Sequence, residues 1–233
     1  MKFPKKSYSN NALVVMLKAP VAGKVKTRLV PPLTSKDAAK LYRCFIQDTF
    51  NLIGILNNID IIAAYTPLNF TSKIKKIVSS KTITIPQKGK DIGERLENIF
   101  SLLFFAGYKK ITIMGADSPD LPIKYIEKSF ALLKGKKELV LGPAKDGGYY
   151  LIAMSRECKE IFKGIPWSTY AVFSKTLEKA KNIGFQSVIL PEWYDIDNIN
   201  DLHLIRNNLR MNPAALNTAK AIEKIFKNIS ANR

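Results

Sequence analysis

A chain of 233 residues with 46% hydrophobic side chains is long enough for one substantial core and ordinary in composition for a globular domain. Its 37 basic and 19 acidic residues give a net charge of +18, which favours polyanions, but lysines such as Lys73, Lys134, Lys179 and Lys181 are scattered rather than grouped with aromatics, which argues against a nucleic-acid binder. The two cysteines, Cys44 and Cys158, lack metal or disulfide-framework spacing, and the first apolar run stops at Lys18, too short for a membrane span or secretory signal, so a cytoplasmic setting is expected.

Along the chain, short apolar runs alternate with longer amphipathic ones, the pattern of a mostly parallel sheet covered by helices. The first predicted strand, Ala12 to Leu17, empties into KAPVAGKVKTRL, which gathers Lys18, Gly23, Lys24, Lys26 and Arg28 behind it. Such a turn can cradle phosphate through backbone N–H groups and cations, although it carries neither three spaced glycines nor a Walker pattern and reads equally as a basic surface turn. A helix follows from Thr34 or Ser35, with Thr34 and Asp37 as a capping box and Leu41, Phe45, Thr49 and Leu52 near helical spacing. Strands are predicted at Asp60 to Tyr65, Thr82 to Ile85, Ile111 to Met114, Leu139 to Leu141, Tyr149 to Met154 and Ser187 to Leu190. Between them come a helix after Gly93 that ends by Gly107, one with Pro122 in its first turn that closes at Gly135, and one from Ser168 to Ile183. A short helix around Leu202 precedes a final segment, Ala214 to Ile229, set off by Pro213, with Leu216, Ile222, Ile225, Phe226 and Ile229 on one side. The chain thus reads as one domain over 11–211, followed by a helix in 212–233 that packs on the domain or on a second subunit in a homodimer.

In open α/β sheets ligands bind beyond the carboxyl ends of the strands, so residues just after predicted strands carry the functional reading. GADSPDLP follows Ile111 to Met114; there Asp117 is read as a ligand for Mg²⁺ or Mn²⁺ and Asp120 as a helix cap ahead of Pro122. In GPAKDGGYYLI, Asp146, Gly147 and Gly148 either approach a ligand or simply form a hairpin turn. In PEWYDIDNINDL, Asp195 and Asp197 are two residues apart on an extended segment and share a side, an arrangement that a divalent cation relieves, whereas Asp201, Asn198 and Asn200 cap the next helix. QKGKDIGERL offers Gln87, Gly89, Asp91, Gly93, Glu94 and Arg95 to a base or sugar, though Asp91 and Glu94 fit a helix start equally well. The sole histidine, His203, lies in a predicted helix and is read as structural.

Taken in order, KAPVAGKVKTRL, GERL, GADSPDLP, GPAKDGGYYLI, PWST and DIDNINDL resemble the DUF2064, or radical-SAM/selenodomain-associated transferase 1, family of GT-A-like proteins. Its wider relatives are nucleotide-diphospho-sugar transferases and small nucleotidyltransferases. The resemblance implies a three-layer α/β/α sandwich, a nucleotide or nucleotide-sugar donor, a small-molecule acceptor and a divalent metal. It makes Lys18, Pro20, Gly23, Lys26, Thr27, Arg28 and Leu29 the nucleotide grip and Asp117 the strand-end acid, with Asp197 and then Asp195 as the later acidic position. It also places Asp146, Gly147, Gly148 and Tyr149, together with Trp167, Ser168 and Thr169, near the acceptor or at the start of the following helix. From these expectations Lys26, Arg28 and Asp117 are the catalytic candidates, with Gln87, Gly93, Glu94 and Arg95 alongside the grip. Glycosyl transfer is the expected reaction, nucleotidyl transfer its alternative, and a non-catalytic nucleotide or polyanion binder the rival from another class.

Overall fold

The computed structural model describes residues 9–135, 137–211 and 215–231, so Pro213, Ala214 and the amino-terminal MKFPKKSY lie outside the described residues. Seven strands form one sheet: β1 (Asn11–Lys18), β2 (Ile59–Thr66), β3 (Ile83–Pro86), β4 (Lys110–Gly115), β5 (Glu138–Pro143), β6 (Tyr149–Met154) and β7 (Gln186–Ile189). Their order is β3-β2-β1-β4-β6-β5-β7, with only β6 antiparallel to its neighbours. β1 has β2 on one side and β4 on the other, so the chain leaves it in both directions across the sheet. That reversal opens a crevice at the carboxyl ends of β1 and β4.

The central strands read as continuous apolar runs because both of their faces are covered. Alternate residues of β1 divide between two cores: Leu13, Val15 and Leu17 join one, Ala12 and Val14 the other. The first core lies under α1 (Ser35–Ile53), α4 (Ile123–Leu132), α6 (Ile199–Met211) and α7 (Leu216–Ala231), contributing Phe45, Ile126, Ile205 and Phe226 among others. The second lies under α3 (Ile92–Phe105) and α5 (Val172–Asn182), with Leu96, Phe100 and Ala180. The result is the three-layer α/β/α sandwich; a short α2 (Thr71–Lys75) is the remaining α-helix among the described residues. None of the helices in the described residues is long and apolar enough to cross a membrane.

Local chemistry explains where several helices begin. Thr34 accepts the Asp37 N–H at 3.1 Å to start α1, and Asp91 accepts the Glu94 N–H at 2.8 Å to start α3 while Glu94 accepts the Lys90 N–H. Asn198 and Asp201 form a reciprocal box ahead of α6, whereas Asn200 supplies only its backbone N–H. Two expectations need correcting. Asp120 is not the cap of α4: Pro122 occupies that position, and the Asp120 carboxylate is buried, accepting from the Tyr194 hydroxyl. α5 begins at Val172 rather than Ser168, because Ser168 has φ +64° and Thr169 folds a turn by donating to the Pro166 carbonyl at 2.7 Å.

α7 docks on its own chain. Buried Asp48 of α1 accepts the Asn217 and Thr218 N–H groups at 3.2 and 2.7 Å and the Asn217 side-chain amide at 2.7 Å, and Arg206 of α6 forms a bidentate pair with Glu223 at 2.7 Å. Ile222, Ile225 and Phe226 are buried as their spacing predicts, but Leu216, at the helix start, is 51% exposed.

Candidate functional site

Beyond β1 the chain turns inward. Ala19 N–H donates to the Thr66 carbonyl at 2.7 Å, Gly23 takes φ +76°, and Lys26 takes φ +48° just before a 3₁₀ turn over Thr27–Leu29. For a residue with a Cβ, the left-handed conformation costs about 1–2 kcal/mol, and here it accompanies an inward-pointing side chain. Lys26 is 4% exposed, with Nζ 2.5 Å from Asp117 Oδ1 and 2.9 Å from Asp197 Oδ1. Its ammonium also lies 5.8 and 5.5 Å from the ring centres of Tyr42 and Phe45 on α1. Burial opposes the Lys26 charge, but the two carboxylates outweigh it and hold the pKa above the usual lysine value.

Asp117 stands two residues past β4, and its carbonyl accepts the Ile196 N–H at 3.1 Å, which ties the β4 loop to the segment after β7. That segment is fixed from its far end too, where Asp201 accepts the Asp197 N–H at 2.8 Å. Asp117 and Asp197 therefore converge on the cleft from separate loops. Arg28, 79% exposed, brings its guanidinium to 3.8 Å from Asp197 Oδ2.

Asp195 takes a different course. Ser118 Oγ donates to its Oδ1 at 2.6 Å and to the Tyr194 carbonyl at 2.8 Å, and Asp195 is not among the residues that line the cleft. Desolvation, followed by the charge of Asp117, pushes its pKa up to about 7. The described residues contain no set of three His, Cys, Asp or Glu side chains placed to hold a metal; of the two later acids read from the sequence, Asp197 reaches the cleft with Asp117 and Asp195 does not.

The cleft encloses about 430 Å³, within the range of small-molecule sites. Lys18, Lys26, Thr27, Arg28, Gln87, Arg95, Asp117, Tyr149 and Asp197 line it, as does Lys24. Gln87 Nε2 donates to the Leu17 and Ala64 carbonyls at 3.1 and 2.7 Å, so with both amide hydrogens engaged the side chain offers a ligand only its carbonyl oxygen.

The remaining sequence candidates stand back from the cleft lining. Pro20 and Gly23 shape the turn, and Glu94 serves the start of α3. Gly93 lies beneath Trp167, whose Nε1 would be 2.2 Å from an added Cβ. Asp146, Gly147 and Gly148 form the β5–β6 hairpin: Asp146 accepts the Gly148 N–H at 2.9 Å, and Gly147, at φ +86°, packs so closely on the Tyr170 backbone that a Cβ would meet its carbonyl oxygen at 2.2 Å. Ser168 and Thr169 belong to the turn before α5. Two contributors were not anticipated. Tyr42 lines the cleft and accepts the Lys18 N–H at 3.2 Å, and Ser118 orients Asp195. Tyr42 has a signal in the sequence, as a polar-tipped aromatic three residues before Phe45 on the inward face of α1.

The chain is similar to proteins of known fold. It is 30% identical to a candidate nucleotide-diphospho-sugar transferase from Desulfovibrio desulfuricans G20, with a TM-score of 0.84 over 93% of this chain and 98% of that one. A cytidylyltransferase from Leptospira borgpetersenii shares the fold at 13% identity and a TM-score of 0.54, over 96% of both chains. CMP:2-keto-3-deoxy-manno-octonic acid synthetase, solved with CTP, shares it at 11% identity and a TM-score of 0.51, over 86% of this chain and 99% of that one. No curated protein matches. Residues 50–169 match the family described as "Uncharacterized protein conserved in bacteria (DUF2064)". That match spans half of the chain, and together with the similarity along nearly its whole length to a candidate nucleotide-diphospho-sugar transferase it shows that the chain belongs to the DUF2064 family.

Proposed function

We propose that the protein is a metal-dependent transferase whose donor is a nucleoside-diphosphate-linked sugar. The observation that carries this reading is the convergence of Asp117 and Asp197 beside Lys26 and Arg28 at the carboxyl ends of β1 and β4. The donor set fits Mg²⁺ or Mn²⁺: two hard carboxylates on a cleft, with the remaining coordination positions left to water and substrate phosphate, as these ions prefer. Bound there, the cation would neutralise charge that develops on the departing diphosphate.

The chain's own residues do the rest. Lys18, Lys24 and Arg28 at the cleft mouth bind and orient the diphosphate, and their charges oppose its build-up of negative charge during transfer. Gln87 accepts one hydrogen bond from the nucleoside. Tyr149 and Arg95 line the part of the cleft left for the sugar and acceptor.

Nucleotidyl transfer is the second reading. It is favoured by the single acid at the end of β4, where Asp117 stands without a neighbouring carboxylate two residues away, and by the fold shared with a cytidylyltransferase. Product analysis separates the two. With nucleotide sugars, nucleoside triphosphates and Mg²⁺ or Mn²⁺, release of a nucleoside diphosphate supports glycosyl transfer and release of pyrophosphate supports nucleotidyl transfer. Neither product from any donor would refute the enzymatic reading in favour of a binding protein.

A further inference from the structure

The cation already between Asp117 and Asp197 is the ammonium of Lys26. We propose that Lys26 holds the metal position closed in the nucleotide-free protein, so that a divalent cation enters only together with a nucleotide. The inference rests on the metal-dependent reading above and adds an order of binding to it.

The backbone at both acids is held by bonds that need no metal: the Asp117 carbonyl accepts from Ile196, and the Asp197 N–H donates to Asp201. Two such acids side by side repel each other unless a positive charge lies between them. Lys26 supplies it, at 2.5 and 2.9 Å, from a side chain 4% exposed. A divalent cation on these oxygens would lie within a few ångströms of a buried like charge, where the low local dielectric strengthens the repulsion. Lys26 therefore has to leave before the cation can settle. A polyphosphate gives it somewhere to go, because Arg28, Lys18 and Lys24 bring that anion to the cleft that Lys26 lines. Metal and nucleotide affinities are then coupled, each raising the other.

The test is Mn²⁺ binding to the full chain, followed by electron paramagnetic resonance of the free ion. Lys26→Met keeps an unbranched side chain and removes the charge that lies near the Tyr42 and Phe45 rings. Without nucleotide it should bind Mn²⁺ about tenfold or more tightly than the unaltered protein, in the range of typical coupling energies. Lys26→Arg, which keeps the charge, should stay as weak as the unaltered protein and provides the comparison should Lys26→Met fail to fold. Adding ribonucleoside triphosphates or UDP-glucose to the unaltered protein should tighten Mn²⁺ binding beyond the loss of free ion that the same nucleotide causes without protein. Equal or weaker binding by Lys26→Met, or tight binding by Lys26→Arg, would overturn the gating role. Failure of both the unaltered protein and Lys26→Met to bind Mn²⁺ with any nucleotide would overturn the metal-dependent reading itself.

Discussion

Asp195 gives the candidate site a measurable pH signature. Its carboxyl is raised to about 7 by desolvation and then by the charge of Asp117, whereas in the unfolded chain it titrates near the ordinary aspartate value of about 3.9. Between those values the folded state binds the proton and the unfolded state does not, so stability contributed by this group falls as pH rises. Each pH unit in the window is worth about 1.4 kcal/mol. Asp195→Asn removes the titration and can still accept the Ser118 hydrogen bond through its amide oxygen. Urea unfolding of both proteins in metal-free buffer should therefore show the variant gaining on the unaltered chain by about 3 kcal/mol from about pH 5 to about pH 8, then levelling off. Taking the difference cancels the other carboxylates. Parallel stability profiles would refute the argument by showing that Asp195 ionises as though exposed.

Three further perturbations probe the frame around the site. Asp48→Ala removes the acceptor of three hydrogen bonds at the start of α7 and should lower unfolding free energy by about 2–3 kcal/mol; a loss below about 0.5 kcal/mol in urea titration would mean that the apolar face alone holds the helix. Gly93→Ala places a Cβ 2.2 Å from Trp167 Nε1, so tryptophan emission should shift as the ring is displaced and stability should fall by about 1–3 kcal/mol. Unchanged emission would contradict that packing. Arg28→Ala, at a side chain 79% exposed, should leave Tm unchanged while weakening nucleotide binding about tenfold, the loss of one charge-assisted contact; calorimetric titration with full affinity retained would remove Arg28 from the phosphate grip.

Much of the sheet was legible because a strand buried on both faces must be an apolar run bounded by turns, as Ala12 to Leu17 is. All seven predicted strands coincide with observed ones to within a few residues. Long-range partners were the harder part. Asp120 looked like a cap from its neighbours, but its fate was decided by Tyr194, 74 residues on. Lys26 looked like a phosphate ligand; that it also meets Asp197, 171 residues away, depends on a left-handed backbone that no lysine signals. The spacing of Asp195 and Asp197 suggested one shared face, yet Ser118 holds the first while the second reaches the cleft. The helix expected around Leu202 runs for 13 residues, because Leu202, Ile205 and Leu209 bury a continuous stripe. The DGG segment illustrates the opposite case, in which its usual local meaning, a hairpin turn, was also its structural one.

A part for Asp117 in metal-dependent nucleotide binding underlies the whole proposal. It is tested most directly by thermal denaturation of the unaltered protein and Asp117→Asn against nucleotide sugars and nucleoside triphosphates, with and without Mg²⁺ or Mn²⁺, each protein compared with its own ligand-free transition. A ligand at about a hundred times its Kd adds about 2.7 kcal/mol, a Tm shift of several degrees at this chain length. That shift is expected only for the unaltered protein with nucleotide and metal together. Equal stabilisation of both proteins, or full stabilisation without metal, would contradict it.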